Sequence, residues 1–180
     1  MQLSLNPSFA AYTPPKSQLL KWVGNKQKFA GQITKCFPKD FGTFYEPFLG
    51  SGAVMATVAP SSGVGSDFFK PLVEIWQKLK QDPDGLVEWY AERRNKLETE
   101  DKKEVYKKVL SSFNAQHNGA DFLFLTRSCY GGIVRFRKAD GHMSTPCGVH
   151  TPITVETFRK RVLEWSIRMK NVNFFNVDYK

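Results

Sequence analysis

The sequence predicts an α/β protein built around a parallel β-sheet. Residues 44–46 and 63–66 form short apolar or small-residue runs that suit buried strands, and residues 51–59 between them have the composition of an apolar helix. A strand, helix, strand succession places its two strands in parallel. A last apolar run, 172–177, follows a long charge-rich section, so we expect a helical insertion and then a return to the sheet.

The section before the first strand predicts little regular structure. Residues 1–15 contain three prolines and no periodicity, which indicates a loose leader. In residues 26–36, Phe29, Ile33 and Cys36 recur at helical spacing, which predicts a helix that ends before Pro38.

The insertion predicts several helices. Residues 71–80, 86–97 and 103–115 are charge-rich helical stretches, and Asp82-Pro83-Asp84-Gly85 marks a break between the first two. Residues 121–130 form a more apolar helix. The apolar positions of the charge-rich helices fit a core stripe better than ligand contacts: Trp76, Leu79, Leu86, Trp89, Tyr90, Val105, Tyr106, Val109 and Phe113.

The C-terminal third predicts a hairpin, a helix and a strand. Residues 133–137 alternate as a strand does, and Asp140-Gly141 is a strong hairpin turn signal. Residues 154–170 form an amphipathic helix, and the strand at 172–177 ends at Asp178. The helix carries its apolar side at Val155, Phe158, Val162, Trp165 and Met169.

The composition argues against several classes of protein. A chain of 180 residues can bury one substantial core. No apolar stretch approaches 18 residues and no charged start precedes an apolar run, so we expect no membrane span, no secretory signal and a cytoplasmic, nucleoid-associated location. The three cysteines lack a Cys-x-x-Cys spacing, which argues against disulfides and zinc; we expect no metal.

The net charge of +9 is unevenly distributed. The surplus lies in residues 1–42 and 127–170, on either side of a mildly acidic middle. Such a distribution fits a polyanion that contacts selected faces of the protein. A basic surface that is merely solvated remains the alternative.

The segment Glu46-Pro47-Phe48-Leu49-Gly50-Ser51-Gly52 predicts a nucleotide cradle. Gly50 and Gly52 allow a tight turn and a close approach to a ligand, and Asp67 ends the next strand, where an acid suits ribose hydroxyls. The glycine spacing differs from that of the dinucleotide fingerprint, and Glu46 would repel a pyrophosphate. These residues therefore favour an adenosyl group without phosphates, although an ordinary turn between strand and helix has the same composition.

A basic, aromatic block follows near residue 130. Arg127, Tyr130, Arg135 and Arg137 lie on a helix end and a hairpin, where guanidinium groups can reach base edges or phosphates and a ring can stack on bases. The alternative is that these arginines pair with acids of the middle segment. With an adenosyl cradle in the same chain, nucleic acid becomes the favoured ligand.

Together these residues resemble the Dam-like D12 class of DNA adenine-N6 methyltransferases, which use S-adenosylmethionine, from about Leu20 to the last residue. Residues 45–53, Tyr-Glu-Pro-Phe-Leu-Gly-Ser-Gly-Ala, match the family's cofactor loop closely. Residues 21–26 are similar to its Lys-Trp-x-Gly-Gly-Lys element, with Asn25 in place of the second glycine. The resemblance implies a Rossmann-like S-adenosylmethionine-dependent methyltransferase sheet, incomplete here, with an inserted, mainly helical DNA-recognition subdomain and a β-hairpin.

The resemblance also implies a set of cofactor-binding residues. Trp22 and Lys26 would lie beside the methionine part, Asp67 would hold the ribose, and Asp178-Tyr179 would contact the adenine ring. Phe69 stands where the family often carries an asparagine. The full set is Trp22, Lys26, Glu46, Pro47, Phe48, Gly50, Gly52, Asp67, Asp178 and Tyr179.

Residues 124–135 resemble the family's DNA-recognition hairpin, with Arg127, Tyr130 and Arg135 at matching positions. Gly131 stands where an asparagine is common, so the resemblance does not assign the target sequence. The resemblance implies three parts: a leader at 1–15, a partial cofactor-binding core at 16–68 and 154–180, and a DNA-recognition subdomain at 69–153 with its hairpin at 131–148.

The family's catalytic tetrapeptide, Asp-Pro-Pro-Tyr, does not occur in the 180 residues. We therefore expect the N-terminal part of an adenine-N6 methyltransferase for duplex DNA, inactive alone, with the catalytic residues beyond Lys180. A separate C-terminal polypeptide could complete the fold, and an interrupted gene is a simpler explanation. The alternatives are a non-catalytic DNA-binding module with a vestigial cofactor site and a methyltransferase for RNA or small molecules.

Overall fold

The computed structural model describes residues 13–38 and 40–180. The helices are α1 (Ala30–Ile33), α2 (Ala53–Val58), α3 (Lys70–Gln81), α4 (Pro83–Arg94), α5 (Lys102–Ala115), α6 (Gly119–Ser128) and α7 (Val155–Met169). The strands are β1 (Phe44–Glu46), β2 (Gly63–Asp67) and β3 (Val172–Asn176). Single 3₁₀ turns occupy Thr34–Cys36, Asn95–Glu98 and Tyr130–Gly132.

The three strands form one parallel sheet in the order β1-β2-β3. Gly63, at the start of the central strand, lies opposite Phe44 on one side and Val172 on the other. The α/β prediction, with parallel strands and a return to the sheet after a helical insertion, is therefore confirmed. Glu46 is the last residue of β1 and Asp67 is the last residue of β2. Because the strands are parallel, both acids lie at the carboxyl ends of the strands, on the same side of the sheet.

The core lies between the sheet and the helical insertion. Trp76 of α3 and Trp165 of α7 are fully buried, with their ring centroids 5.5 Å apart. Of the apolar residues that the sequence assigned to the core stripes of 71–115, all but one are buried. The exception is Trp89, which is half-buried. The Lys78 Nζ lies 5.3 Å from the centre of its ring.

Local capping decides where the long helices begin. Asp82 accepts a hydrogen bond from the Gly85 N–H, and Pro83 occupies the first turn, so α4 begins before the Leu86 that periodicity suggested. Asn118 caps α6 in the same way, and Thr154 caps α7. The helix predicted for 26–36 is shorter than expected, because residues 26–29 form turns and α1 begins only at Ala30.

The predicted strand at 133–137 is wrong, although the chain does turn back at Gly141. Two isolated antiparallel bridges, Cys129 to Cys147 and Phe136 to Met143, replace a continuous ladder. The Thr145 hydroxyl accepts a hydrogen bond from the Arg135 N–H and donates one to the Ile133 carbonyl. This side chain takes the place of backbone partners, which explains the interruption.

Most of the predicted leader, residues 1–12, lies outside the described residues. Residues 13–15 have no regular structure, but the Thr13 carbonyl accepts a hydrogen bond from Arg168. No helix within residues 13–38 and 40–180 is long and apolar enough to cross a membrane.

Candidate functional site

The loop between β1 and α2 is shaped by two left-handed glycines. Gly50 has a φ of 49° and Gly52 a φ of 62°, a region that side chains disfavour. A Cβ on Gly52 would lie 2.9 Å from the Met169 methyl group and 3.2 Å from the Trp76 ring. The Trp76 indole N–H donates to the Gly50 carbonyl at 3.1 Å, so a core residue fixes the loop from below.

Asp67 ties the end of β2 to the same loop. Its Oδ2 accepts a hydrogen bond from the Gly50 N–H at 3.0 Å, and its Oδ1 accepts one from the Phe69 N–H at 3.0 Å. A carboxylate can accept about four hydrogen bonds, so both oxygens retain capacity for a ligand hydroxyl. The acid predicted to hold a ribose therefore also organises the glycine loop.

Glu46 lies beside a small cavity of about 140 Å³. Its Oε2 accepts a hydrogen bond from the Met55 N–H at 2.9 Å. Burial of the carboxyl group raises the pKa of Glu46 to about 7, against the lowering effect of the Met55 N–H. The cavity walls bring together five of the predicted cofactor residues: Trp22, Lys26, Glu46, Phe48 and Gly50.

The other predicted cofactor residues do not line this cavity. Gly52 and Asp67 support the loop, Pro47 lies within it, and Asp178 and Tyr179 follow β3. The Tyr179 ring lies 5.0 Å from the Phe48 ring, and both are largely exposed. A second, aromatic surface therefore adjoins the cavity, and its exposed rings could hold a flat heterocycle.

The predicted DNA-binding residues divide into two groups. Tyr130, Arg135 and Arg137 are exposed, and we call them the hairpin surface. Arg137 donates from Nε to Asp140 at 3.0 Å, whereas Arg135 has no carboxylate partner among the described residues.

Arg127 is placed differently from the hairpin surface. It is 9% exposed, and its Nη1 donates to the Leu19 carbonyl at 2.7 Å and the Gln18 carbonyl at 3.2 Å. Its guanidinium lies 5.8 Å from the Phe158 ring centre. The structure thus brings Arg127 to the N-terminal segment instead of the exposed hairpin.

The sequence interpretation gave no binding role to two basic residues that lie near Arg127, although one of them, Lys21, begins the 21–26 element. Lys21 and Arg161 line a cavity of about 470 Å³ together with it. The only signal for Arg161 was the basic surplus of residues 127–170, because the position lies on the polar side of an amphipathic helix. Across residues 13–38 and 40–180, no three His, Cys, Asp or Glu side chains cluster as metal ligands.

A family model and the sequences of known proteins point to the same family. A family model described as D12 class N6 adenine-specific DNA methyltransferase matches residues 22–180. The type II methyltransferase M.MjaIII of Methanocaldococcus jannaschii is 32% identical over 148 residues, which cover 72% of this chain and 51% of that protein. The retron Ec67 DNA adenine methylase of Escherichia coli is 29% identical, with 73% of this chain and 47% of that protein covered. The chain spans about half the length of these relatives.

Proposed function

This chain belongs to the D12 class N6 adenine-specific DNA methyltransferase family, and we propose that it binds S-adenosylmethionine at the loop between β1 and α2 and duplex DNA on the hairpin surface. One observation carries the first half of the proposal. Asp67 joins the end of β2 to Gly50 directly beside the cavity that Glu46 lines, so two acids converge on one glycine loop.

The charges and shapes of the site support this cofactor. S-adenosylmethionine carries an ammonium group and a sulfonium, and the Glu46 carboxylate can attract a cation in the cavity. Whole-ligand pockets usually measure 300–1,000 Å³, so about 140 Å³ fits only part of the molecule. The adenosine part would lie outside, with its ribose at Asp67 and its ring on the Phe48 and Tyr179 surface.

The hairpin surface supports DNA as the second ligand. Tyr130 presents an exposed ring that can stack on or wedge between bases, and Arg135 presents a guanidinium without an acidic partner among the described residues. When bound, S-adenosylmethionine supplies an activated methyl group. The residues of this chain would hold the two ligands and align them, since positioning supplies much of the rate of such transfers.

We further propose that the 180 residues do not methylate adenine on their own, because they contain no Asp-Pro-Pro-Tyr sequence. Strand β1 lies at an edge of the sheet, with Tyr45 exposed, and an added polypeptide could extend the sheet there. Calorimetric titration with S-adenosylmethionine, with and without a duplex, tests binding. Transfer of a labelled methyl group to adenine by the purified chain would contradict the proposed inactivity.

A DNA-binding module with a vestigial cofactor site is the second candidate. The small volume of the cavity and the existing backbone contacts of Asp67 favour it. Salt-sensitive duplex binding by a folded chain that does not bind S-adenosylmethionine would establish this alternative.

Arg135→Ala is expected to weaken duplex binding by about 10- to 100-fold, the range for loss of one bidentate base contact. Arg137→Ala is expected to cause a smaller loss, because Arg137 must first leave Asp140 to reach DNA. Fluorescence anisotropy at fixed salt concentration measures both. Each variant removes one positive charge, so equal losses would indicate a nonspecific electrostatic contribution only.

The raised pKa of Glu46 predicts a pH-dependent cofactor affinity. Only the ionised carboxylate attracts a cation, so affinity should fall by about tenfold for each pH unit well below 7. Stability should follow the opposite trend. Because the folded pKa is higher than the unfolded one, the contribution of Glu46 is fully present below pH 4.5 and is lost as the pH rises through about 7.

Calorimetry and thermal unfolding between pH 5.5 and 8.5 check both trends. Glu46→Gln is the control, since it retains an oxygen for the Met55 N–H and cannot ionise. This variant should bind the cofactor weakly, with little pH dependence. A pH profile of affinity that is unchanged in Glu46→Gln would exclude Glu46 as the titrating group.

A further inference from the structure

A positively charged concavity beside the hairpin has no role in the function proposed above. It measures about 470 Å³ and lies between the segment before Trp22 and residues 148–153, at the base of the hairpin. Lys21, Arg127 and Arg161 line it, with the exposed Tyr130 at its edge. None of the described residues that line it is acidic.

The two arginines share one hydrogen-bond acceptor although both carry a positive charge. The Arg161 Nη1 donates to the Gln18 carbonyl at 2.9 Å, and the Arg127 Nη1 donates to the same oxygen at 3.2 Å. Burial, together with a smaller contribution from the positive charge of Arg161, lowers the pKa of Arg127 to about 10. Burial also lowers the pKa of Arg161.

The described chain supplies no carboxylate that balances these charges. Neither Arg127 nor Arg161 forms an ion pair within residues 13–38 and 40–180, and Glu164, one turn along α7, pairs with Arg168. The remaining residues, 1–12 and Lys39, include no Asp or Glu. In addition, the Arg127 Nε is buried and has no hydrogen-bond partner among the residues that the structure describes. A buried charge without a partner is costly, so an arrangement of this kind gains stability from a bound anion.

We propose that this cavity binds a phosphate group between Lys21, Arg127 and Arg161. Guanidinium groups suit tetrahedral oxyanions because their planar N–H groups donate in pairs, and Lys21 adds an exposed positive charge at the mouth. The phosphate can come from the DNA backbone, since Tyr130 of the hairpin surface borders the cavity, or from free inorganic phosphate. The DNA source rests on the function proposed above, whereas the anion site itself does not.

Arg161→Gln tests the site, and Arg159→Gln is its matched control. Glutamine can still donate to the Gln18 carbonyl, so the first variant removes the charge and retains a hydrogen bond. Arg159 lies on the same helix, is exposed and pairs with Asp84 outside the cavity. Both variants therefore change the net charge equally. Lys21→Gln, at the exposed mouth, provides a second variant if Arg161→Gln does not fold.

The first readout uses inorganic phosphate and thermal unfolding. Phosphate at about ten times its dissociation constant should raise the midpoint temperature of unfolding of the wild type and of Arg159→Gln by roughly 3 °C, compared with a chloride solution of equal ionic strength. Arg161→Gln should show no such rise. The second readout is the salt dependence of duplex binding, where loss of one phosphate contact reduces the slope of log K against log salt by about one.

The outcomes separate the two sources. Phosphate protection with an unchanged salt slope in Arg161→Gln supports a free phosphate ligand, and a reduced slope relative to Arg159→Gln supports a DNA phosphate. If phosphate does not protect the wild type and the slopes are equal, the anion site is excluded. Calorimetry with S-adenosylmethionine keeps the proposals apart, because a wild type that binds phosphate and no cofactor would contradict only the proposed function.

Discussion

Asp67→Ala is expected to weaken S-adenosylmethionine binding by about 100-fold or more, since hydrogen bonds to a charged group contribute about 1.5–3 kcal/mol each. The substitution removes the acceptor for the Gly50 N–H, the acceptor for the Phe69 N–H and the oxygens proposed for the ribose. Loss of the first contact releases the loop, and loss of the third removes a direct ligand contact. Calorimetric titration measures the combined effect.

Asp67→Asn is the matched control for this prediction. It keeps one oxygen as an acceptor, so the loop should be partly held, and binding should fall by less than in Asp67→Ala. Circular dichroism and thermal unfolding establish that both variants are folded. Wild-type affinity in a folded Asp67→Ala chain would place the cofactor elsewhere and contradict the proposed cradle.

Trp76→Ala is expected to destabilise the protein by about 4 kcal/mol, within the range for truncation of a large buried aromatic residue. Trp76 is fully buried, and its ring stacks on Trp165 at 5.5 Å and on Phe174 at 6.1 Å. The variant also loses the hydrogen bond to the Gly50 carbonyl and the surface against which Gly52 packs. Denaturant unfolding measures the loss of stability.

Two phenylalanine variants separate core packing from control of the loop. Trp76→Phe keeps an aromatic ring and removes the donor to Gly50, whereas Trp165→Phe removes a buried donor that binds the Ser17 carbonyl instead. Both should destabilise the chain, and only Trp76→Phe should also weaken cofactor binding. Equal losses of affinity would show that general loosening of the core, and not the Gly50 contact, affects the site.

Several features of the fold could be predicted because their signals are local. The strand, helix, strand unit follows from two short apolar or small-residue runs around a glycine loop, and the parallel order of β1 and β2 follows from the crossover between them. The helix start at Thr154 follows from capping chemistry within one turn, whereas the predicted start at Leu86 missed the cap that Asp82 provides. The D12 family also followed from residues 21–26 and 45–53, because each of these motifs is recognised from the order of neighbouring residues without knowledge of the fold.

The sequence by itself therefore determined the fold class, the family and the glycine loop, since each depends on neighbouring residues. Only the tertiary structure decided which polar side chains contact which distant segment of the chain. Arg127 matched a DNA-recognition position, yet its guanidinium binds the Leu19 carbonyl, 108 residues away in the chain. Asp67 likewise holds Gly50, and Arg161 faces Arg127. Hydrophobic periodicity indicates which face of an element is buried, but a polar side chain finds its partner only after distant segments have packed together.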